Sequence, residues 1–298
     1  MTTYLGAEGT PLNAAVGRIV LIAAARRVRE PGAKFDTILV LEGEQGVGKS
    51  TAIKILAGDE NFSDQNILTL DPKAQMELLE GIWFYEICEL EGISRAETSK
   101  VKAFASRAVD QGRPAYGRFK ETRPRQTVFI GTTNDDKYLR DMTGNRRFWP
   151  VKVGTIDLGA LQRDRDQLFA EAAYWEEKGE SLVLAEELWP LAHTEQEARL
   201  EDDPWIDALS DLHPKDLEQV GGMVRISTSW LLEINLSIAK DRQQQYHTKR
   251  LAAVMRKLGW KGPALIKMED GSVVRGYQRP LTDWGDPDDP QFKRKPKF

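Results

Sequence analysis

Residues 43–50 read Gly-Glu-Gln-Gly-Val-Gly-Lys-Ser, between an apolar run and a segment with a helical pattern. Glycines in such a turn let backbone N–H groups surround phosphate oxygens, and the following helix adds the positive end of its dipole. Lys49 is expected to reach the β- and γ-phosphates, and the Ser50 hydroxyl to bind Mg²⁺. The segment therefore predicts a site for ATP and Mg²⁺. The residues expected to bind the nucleotide are Gly43, Glu44, Gln45, Gly46, Val47, Gly48, Lys49, Ser50 and Thr51.

Two later apolar runs end in polar side chains that could complete a hydrolytic site. Glu86 and Glu89 close the run that begins at Trp83, and Asn134 follows Gly-Thr-Thr at 131–133. One glutamate would hold the metal and its water shell, and the other would polarise the attacking water. We favour Glu86 for the metal and Glu89 for the water, with the reverse assignment left open by their spacing. Asn134 could hydrogen-bond the γ-phosphate or the water, or could simply form a turn.

Paired arginines stand in a short turn, Gly-Asn-Arg-Arg at 144–147, directly before an aromatic pair. Arg146 and Arg147 are candidates for an arginine finger that acts on the ATP site of a neighbouring subunit. A surface salt bridge is the other interpretation. The sequence does not decide which of the two arginines would act.

A loop between the second and third apolar runs mixes cationic and aromatic residues around a glycine. It reads Arg-Pro-Ala-Tyr-Gly-Arg-Phe-Lys at 113–120. Such a mixture suits contacts with the backbone and bases of a nucleic acid. Arg118 and Lys120 are therefore candidates for DNA contact, although a solvated charged loop would have the same composition.

The elements that must position these residues follow from the apolar pattern. Three runs, at 37–41, 82–87 and 127–132, do not alternate with polar residues, which is typical of strands buried on both faces of a parallel sheet. Helical spacing over 12–29 predicts a helix before the first strand. A capping box at 94–97 opens a further helix that is expected to run to about Val109. The order indicates an α/β sheet of the P-loop type, followed by helices near 168–175 and 185–199.

The C-terminal third differs from the rest in charge. Between Val220 and Pro280 there are eleven Lys or Arg and four acids, about +7, which leaves the remainder near −11 within a net charge of −4. Helical patterns near 230–236 and 241–258, then a hairpin signal at 265–277, give a winged-helix outline. The excess positive charge suggests a polyanionic partner, with Lys249 and Arg250 as candidate DNA contacts.

The expected organisation has five parts. They are an N-terminal helical segment (1–35), an ATPase core with trailing helices (36–200), a linker (201–219), a basic winged-helix-like domain (220–285) and a disordered tail (286–298).

Composition excludes several other classes. One cysteine rules out an intrachain disulfide, and three scattered histidines give no legible zinc site. Cys88 is expected to be a small core residue. No apolar run approaches the roughly 20 residues of a membrane span, and the start has no secretory pattern, so a cytoplasmic location is expected.

Five motifs in order resemble the virulence-associated protein E family of phage and mobile-element ATPases. They are the stretches 41–50, 86–90, 113–118, 131–134 and 144–150. This family is similar to superfamily 3 helicases. The resemblance therefore implies an AAA+-like core, a homo-oligomeric ring, usually a hexamer, and ATP-driven movement on DNA. It also implies a hairpin before the third strand that holds DNA in the channel, which would place Arg118 and Lys120 there.

The leading hypothesis is a DNA helicase or translocase in phage or mobile-element replication. Family members often carry a primase module, which would be absent from this chain or supplied by another protein, because the phosphate loop begins at Gly43. One alternative is an ATP-switched origin-binding or helicase-loader protein that does not unwind DNA. A small-molecule P-loop kinase fits less well, since no acceptor pocket is legible.

Overall fold

The structure is a computed structural model, and it describes residues 1–113, 119–140, 144–201 and 203–285. The chain forms two compact units, Met1–Glu201 and Asp202–Phe298.

The first unit has a mixed α/β architecture around a five-stranded parallel sheet, which confirms the expected class. The three apolar runs are strands, shifted by one or two residues from the predicted bounds. The sheet order is β2-β3-β6-β1-β7. The strands are β1 (Ile38–Glu42), β2 (Phe62–Ser63), β3 (Phe84–Ile87), β6 (Val128–Thr133) and β7 (Phe148–Lys152).

Helices cover both faces of this sheet, so its central strands are buried. One apolar core includes Leu39, Leu41 and Ile130, and a second includes Val40 and Phe129. The helices of this unit are α1 (Thr2–Leu5), α2 (Pro11–Arg29), α3 (Lys49–Ala57), α4 (Pro72–Leu78), α5 (Arg95–Ala105), α6 (Leu158–Glu177) and α7 (Trp189–Ala198).

Helix α5 begins at the predicted capping box, where the Ser94 hydroxyl and the Glu97 carboxylate each accept a backbone N–H. The helix ends at Ala105, four residues before the predicted end. It stops there because the following residues form a two-stranded antiparallel hairpin of β4 (Val109–Gly112) and β5 (Glu121–Pro124).

Arg125 fastens the base of this hairpin. Its guanidinium is 2% exposed, donates to both carboxylate oxygens of Asp110 in β4 and lies over the ring of Phe104 in α5. Because breaking a buried ion pair of this kind is costly, the two strands are held firmly to α5.

The second unit packs helices on a four-stranded antiparallel sheet with the order β10-β11-β9-β8. Its core includes Leu251, Val254, Met255 and Tyr277. A π-helical turn at Leu231–Asn235 follows the short α9. The remaining elements are α8 (Pro204–Ser210), β8 (Glu218–Val220), β9 (Met223–Ser227), α9 (Thr228–Trp230), α10 (Gln245–Lys257), β10 (Lys261–Lys267) and β11 (Val273–Pro280).

Two predictions about local structure are wrong. The predicted linker, 201–219, is folded over residues 203–219, which form α8 and place Leu209, Leu212 and Leu217 in the core of the second unit. Cys88 is exposed rather than buried in the core, because β3 ends at Ile87 and Cys88 already lies beyond the sheet. The predicted disordered tail, 286–298, lies outside the described residues. No helix in the described ranges is both long and apolar enough to cross a membrane.

Candidate functional site

The glycine-rich loop joins the end of β1 to the start of α3. Gly46 and Gly48 have φ angles of +84° and +99°, a region that favours glycine, so the turn depends on these two positions. Lys49, the first residue of α3, is 7% exposed. Its ammonium donates to the carbonyl oxygens of Gly43 at 2.6 Å and Glu44 at 2.9 Å, and to Asn134 Oδ1 at 2.9 Å.

All three N–H groups of Lys49 are thus directed at protein oxygens. Burial lowers the pKa of Lys49, while the carboxylates of Glu91 and Glu86 oppose that shift. A phosphate arriving at the loop would offer the same N–H groups charged acceptors, which form stronger hydrogen bonds than carbonyl and amide oxygens do.

Glu86 lies at the end of β3, two strands from the loop, and is 1% exposed. Its Oε1 accepts from the Ser50 hydroxyl at 2.8 Å and from the Thr132 hydroxyl at 2.7 Å. Its Oε2 is buried and has no hydrogen-bond partner in the described structure. A buried carboxylate oxygen without a partner is costly, so this atom is placed to receive a ligand.

Asn134 follows β6 and connects Lys49 to a carboxylate that the sequence reasoning missed. The Glu91 Oε1 accepts from both the backbone N–H and the side-chain amide of Asn134, each at 3.3 Å. This fixes which way the Asn134 amide points, so that its oxygen faces Lys49. The other Glu91 oxygen is also buried without a partner in the described part of the chain. No sequence signal separates Glu91 from its acidic neighbours.

Lys49, Glu86 and Asn134 line a cavity of about 330 Å³, a size suited to a small ligand. Glu89 lines it too, is exposed, and has a φ of +53°, unusual for a residue other than glycine. Cys88 stands beside it. The complete lining is Gln45, Gly46, Gly48, Lys49, Ser50, Thr51, Glu86, Cys88, Glu89, Thr132, Thr133 and Asn134.

The donor set fits a hard cation better than a transition metal. Ser50 and Glu86 provide a hydroxyl and a carboxylate oxygen 2.8 Å apart, with the unpartnered Oε2 beside them. Across the described ranges, no group of three or more His, Cys, Asp or Glu could form a metal cage by itself. Mg²⁺ is usually bound by only a few protein ligands, and waters and phosphate oxygens complete its coordination.

A second buried network supports the loop from behind. Glu42, the last residue of β1, is 2% exposed and accepts from Tyr138 Oη at 2.8 Å and from Arg199 Nε and Nη2, each at 2.8 Å. Arg199 also pairs with Glu195, and burial, followed by the Glu42 carboxylate, raises the pKa of Tyr138. The network ties the end of β1 to the segments that follow β6 and α7. The sequence motifs give no indication of it.

Arg146 and Arg147 lie at the opposite edge of the sheet from the loop. They precede β7, whose first residue pairs in parallel register with Ile38 at the start of β1. Five residues of extended chain separate the two edges by about 16 Å. Within one chain, the structure therefore does not bring the arginines to Lys49.

The two arginines differ in their surroundings. Arg147 is half-buried, and its Nε lies 3.1 Å from Ser106 Oγ and 3.3 Å from an Asp36 carboxylate oxygen. Arg146 is exposed, and within the described residues it has neither a hydrogen bond nor an ion pair. Of the pair, Arg146 is the one free to contact another molecule.

The residues predicted to contact DNA fall into three groups. Arg118 lies outside the described residues, while Lys120 is exposed directly before β5, next to Phe119, which is 80% exposed. Lys249 is exposed on α10. Arg250 is engaged, because it donates to both carboxylate oxygens of Asp203 and lies 4.2 Å from the ring centre of Trp205.

Comparisons with known proteins point to one family. The family model described as the virulence-associated protein E-like domain matches residues 1–201. No curated protein matches the chain. Among solved structures, an apo structure of the NrS-1 C-terminal region is 12% identical and has a TM-score of 0.47; the match covers 89% of this chain and 71% of the NrS-1 chain. An A-form apo structure of the same region is 14% identical, covers 88% and 70%, and has a TM-score of 0.43.

Proposed function

The chain belongs to the virulence-associated protein E-like family, and we propose on that premise that it is an ATP-hydrolysing DNA helicase or translocase of a phage or mobile element. The observation that carries the ATPase part is the buried Oε2 of Glu86, which has no partner among the described residues and lies beside the Ser50 hydroxyl, two strands over from the loop. Lys49 and Asn134 complete a set of groups that fits a triphosphate with its cation.

Each side chain would have a separate task. Ser50 and Glu86 would hold Mg²⁺, which when bound neutralises charge on phosphate oxygens. Lys49 would exchange its carbonyl and amide acceptors for the γ-phosphate, and the released Asn134 amide would orient the attacking water. Glu89 would accept the proton of that water, since it is exposed and lines the same cavity.

The proposal includes a ring with an AAA+-like core. Arg146 would act on the ATP of the neighbouring subunit, where an arginine stabilises the charge that develops during phosphoryl transfer. Its position about 16 Å from its own loop and its lack of a described partner support action between subunits. A heterologous contact repeated around a closed ring, as in a hexamer, would give every site its arginine.

DNA would contact the β4–β5 hairpin. Its base is fixed by the buried Arg125–Asp110 pair, and Phe119 and Lys120, directly before β5, are exposed. An exposed aromatic ring next to a cation suits stacking on a base together with a phosphate contact. Arg118 remains a proposed contact from its place in the sequence.

The test is ATP turnover by the purified chain with and without single-stranded DNA. We expect DNA to raise turnover, and Lys49→Ala to lower it by about 100-fold or more. Lys54→Ala is the matched control, because Lys54 lies on the same helix, is half-exposed and, in the part of the chain that the structure describes, pairs only with the exposed Asp59. Turnover that survives Lys49→Ala, or that DNA leaves unchanged, would count against the proposal.

A loader or origin-binding protein that does not unwind DNA is the second candidate. The basic α10 of the second unit favours it, because a separate DNA-binding unit suits recruitment as well as translocation. Displacement of one strand from a forked duplex with ATP supports a helicase. DNA-stimulated turnover with no displaced strand supports the loader. A kinase would hydrolyse ATP without a response to DNA.

A further inference from the structure

The outer face of α10 carries two basic residues and no acidic one. The inner face places Leu251, Val254 and Met255 in the core. From Gln244 to Lys257 the helix and its N-cap contain no acidic residue. Gln245, Lys249, Ala252 and Arg256 are spaced at i, i+4, i+7 and i+11, so they share the face opposite the core.

The charges on this outer face are available to a partner. Arg250 is neutralised by Asp203 on the side of the helix that faces α8. Lys249 and Arg256, by contrast, are exposed and have no hydrogen bond or ion pair among the described residues. Between them, Ala252 and the neighbouring Ala253 keep the side chains short, so another molecule could approach the helix backbone closely.

The β10–β11 hairpin adds two further cations. Lys267 and Arg275 are exposed and point to the same side of the hairpin, since Lys267 pairs with Val273 and Leu265 pairs with Arg275 across the two strands. The tip of the hairpin is acidic. Glu269 and Asp270 are exposed there, and a Glu218 oxygen accepts from the Glu269 backbone N–H. Any anionic partner must therefore meet the strands rather than the tip.

We propose that the outer face of α10 binds double-stranded DNA in the major groove, with Lys267 and Arg275 on neighbouring phosphates. The groove is about 12 Å wide and accepts an α-helix. Lys249 and Arg256 are about 10 Å apart along the helix, so each can reach a different phosphate. The alanines allow the helix to sit deep, and the Gln245 amide can hydrogen-bond a base edge. This deepens the proposed function, on whose DNA-binding role for the second unit it rests, by naming the face and the form of DNA; it requires no ATP.

The experiment measures binding of the full chain, without nucleotide, to a labelled 30-base-pair duplex and to a single strand of equal length (lengths chosen as about three helical turns). The variant is Lys249→Ala with Arg256→Ala. Lys215→Ala is the matched control, since Lys215 is an exposed lysine of the same unit away from α10. We expect the double variant to weaken duplex binding about tenfold or more. We also expect the slope of log K against log salt to fall by about 1.8 units, for two lost phosphate contacts.

Several outcomes would overturn the assignment. In the first, the double variant binds the duplex as tightly as the wild-type chain does, and in the second, the wild-type chain does not bind the duplex at all. The third such outcome is an equal loss of affinity for the duplex and for the single strand in the double variant. A charge-reversing Lys249→Glu variant with an unaltered melting temperature must weaken duplex binding at least as much as Lys249→Ala. Lys49→Ala must leave duplex binding intact, so a failure of the ATPase proposal is distinguishable from a failure of this one.

Discussion

Replacing Arg199 by methionine should destabilise the first unit strongly. Arg199 provides two of the three hydrogen bonds to the Glu42 carboxylate, whose side chain is 3% exposed. Methionine keeps much of the side-chain volume but removes the charge. The variant would leave a carboxylate at the end of β1 with only the Tyr138 hydroxyl as a partner.

The magnitude follows from that geometry. Breaking one side of a buried ion pair costs about 3–5 kcal/mol, because the remaining charge stays desolvated. For a unit of this size, each kcal/mol lowers the melting temperature by about 2–4 °C, so a fall of about 6–20 °C is expected. Glu42→Gln should cost less, since Arg199 would keep its second partner, Glu195.

The measurement is calorimetric melting of the two single variants and of the Glu42→Gln/Arg199→Met double variant. Together they give the interaction free energy between Glu42 and Arg199. We expect the double variant to be more stable than Arg199→Met alone, because it no longer buries an unpaired charge. A fall below about 2 °C for Arg199→Met would mean that Glu42 is not a desolvated carboxylate, and would refute this account of the network.

Three further predictions concern the candidate site. Arg146→Ala should retain ATP binding in a nucleotide titration, while its ATP turnover should fall by about 10³-fold. Arg147→Ala should mainly lower the melting temperature. The reverse pattern would exchange the roles of the two arginines. Cys88 is exposed as a residue, but partial desolvation of its thiol, followed by the nearby carboxylates of Glu86 and Asp64, raises its pKa to about 12, so little thiolate exists near neutral pH. Alkylation by iodoacetamide at about pH 8.5, followed by mass spectrometry, should be about 50-fold slower than for free cysteine, and a comparable rate would contradict it. Glu91→Gln should lower kcat about tenfold with little change in KM, because it weakens the hydrogen bonds that orient the Asn134 amide and leaves the ATP contacts in place. A rise in KM alone would count against this positioning role of Glu91.

Short-range patterns predicted the parts of the fold that depend on them. The apolar runs became β1, β3 and β6 because strands buried on both faces need unbroken hydrophobic sequence. The loop at Gly43–Ser50 was predicted by its own residues. Asp203-Pro204 carried a legible helix start, with the Asp203 carboxylate accepting from Trp205 N–H, but its acidic neighbours favoured the wrong interpretation as a linker.

Contacts between residues that are distant along the chain could not be predicted from the sequence. Glu91 meets Asn134 across 43 residues and Arg250 meets Asp203 across 47, and no local pattern indicates either contact. The pairing of Arg250 changed its expected role, because a charge that is already neutralised has less to offer a phosphate. The position of Arg146 needed the register of β1 and β7, which the sequence does not fix.

The most direct test of the central claim mixes two inactive proteins. The Lys49→Ala protein still has Arg146, and the Arg146→Ala protein still has an intact phosphate loop. In a mixed ring, a complete site forms wherever an intact loop of one subunit meets an intact Arg146 of its neighbour. At equal amounts with random assembly, about a quarter of the interfaces would carry both intact parts. Turnover should therefore recover to about a quarter of the wild-type value. Mixed rings that remain as inactive as either parent would contradict it.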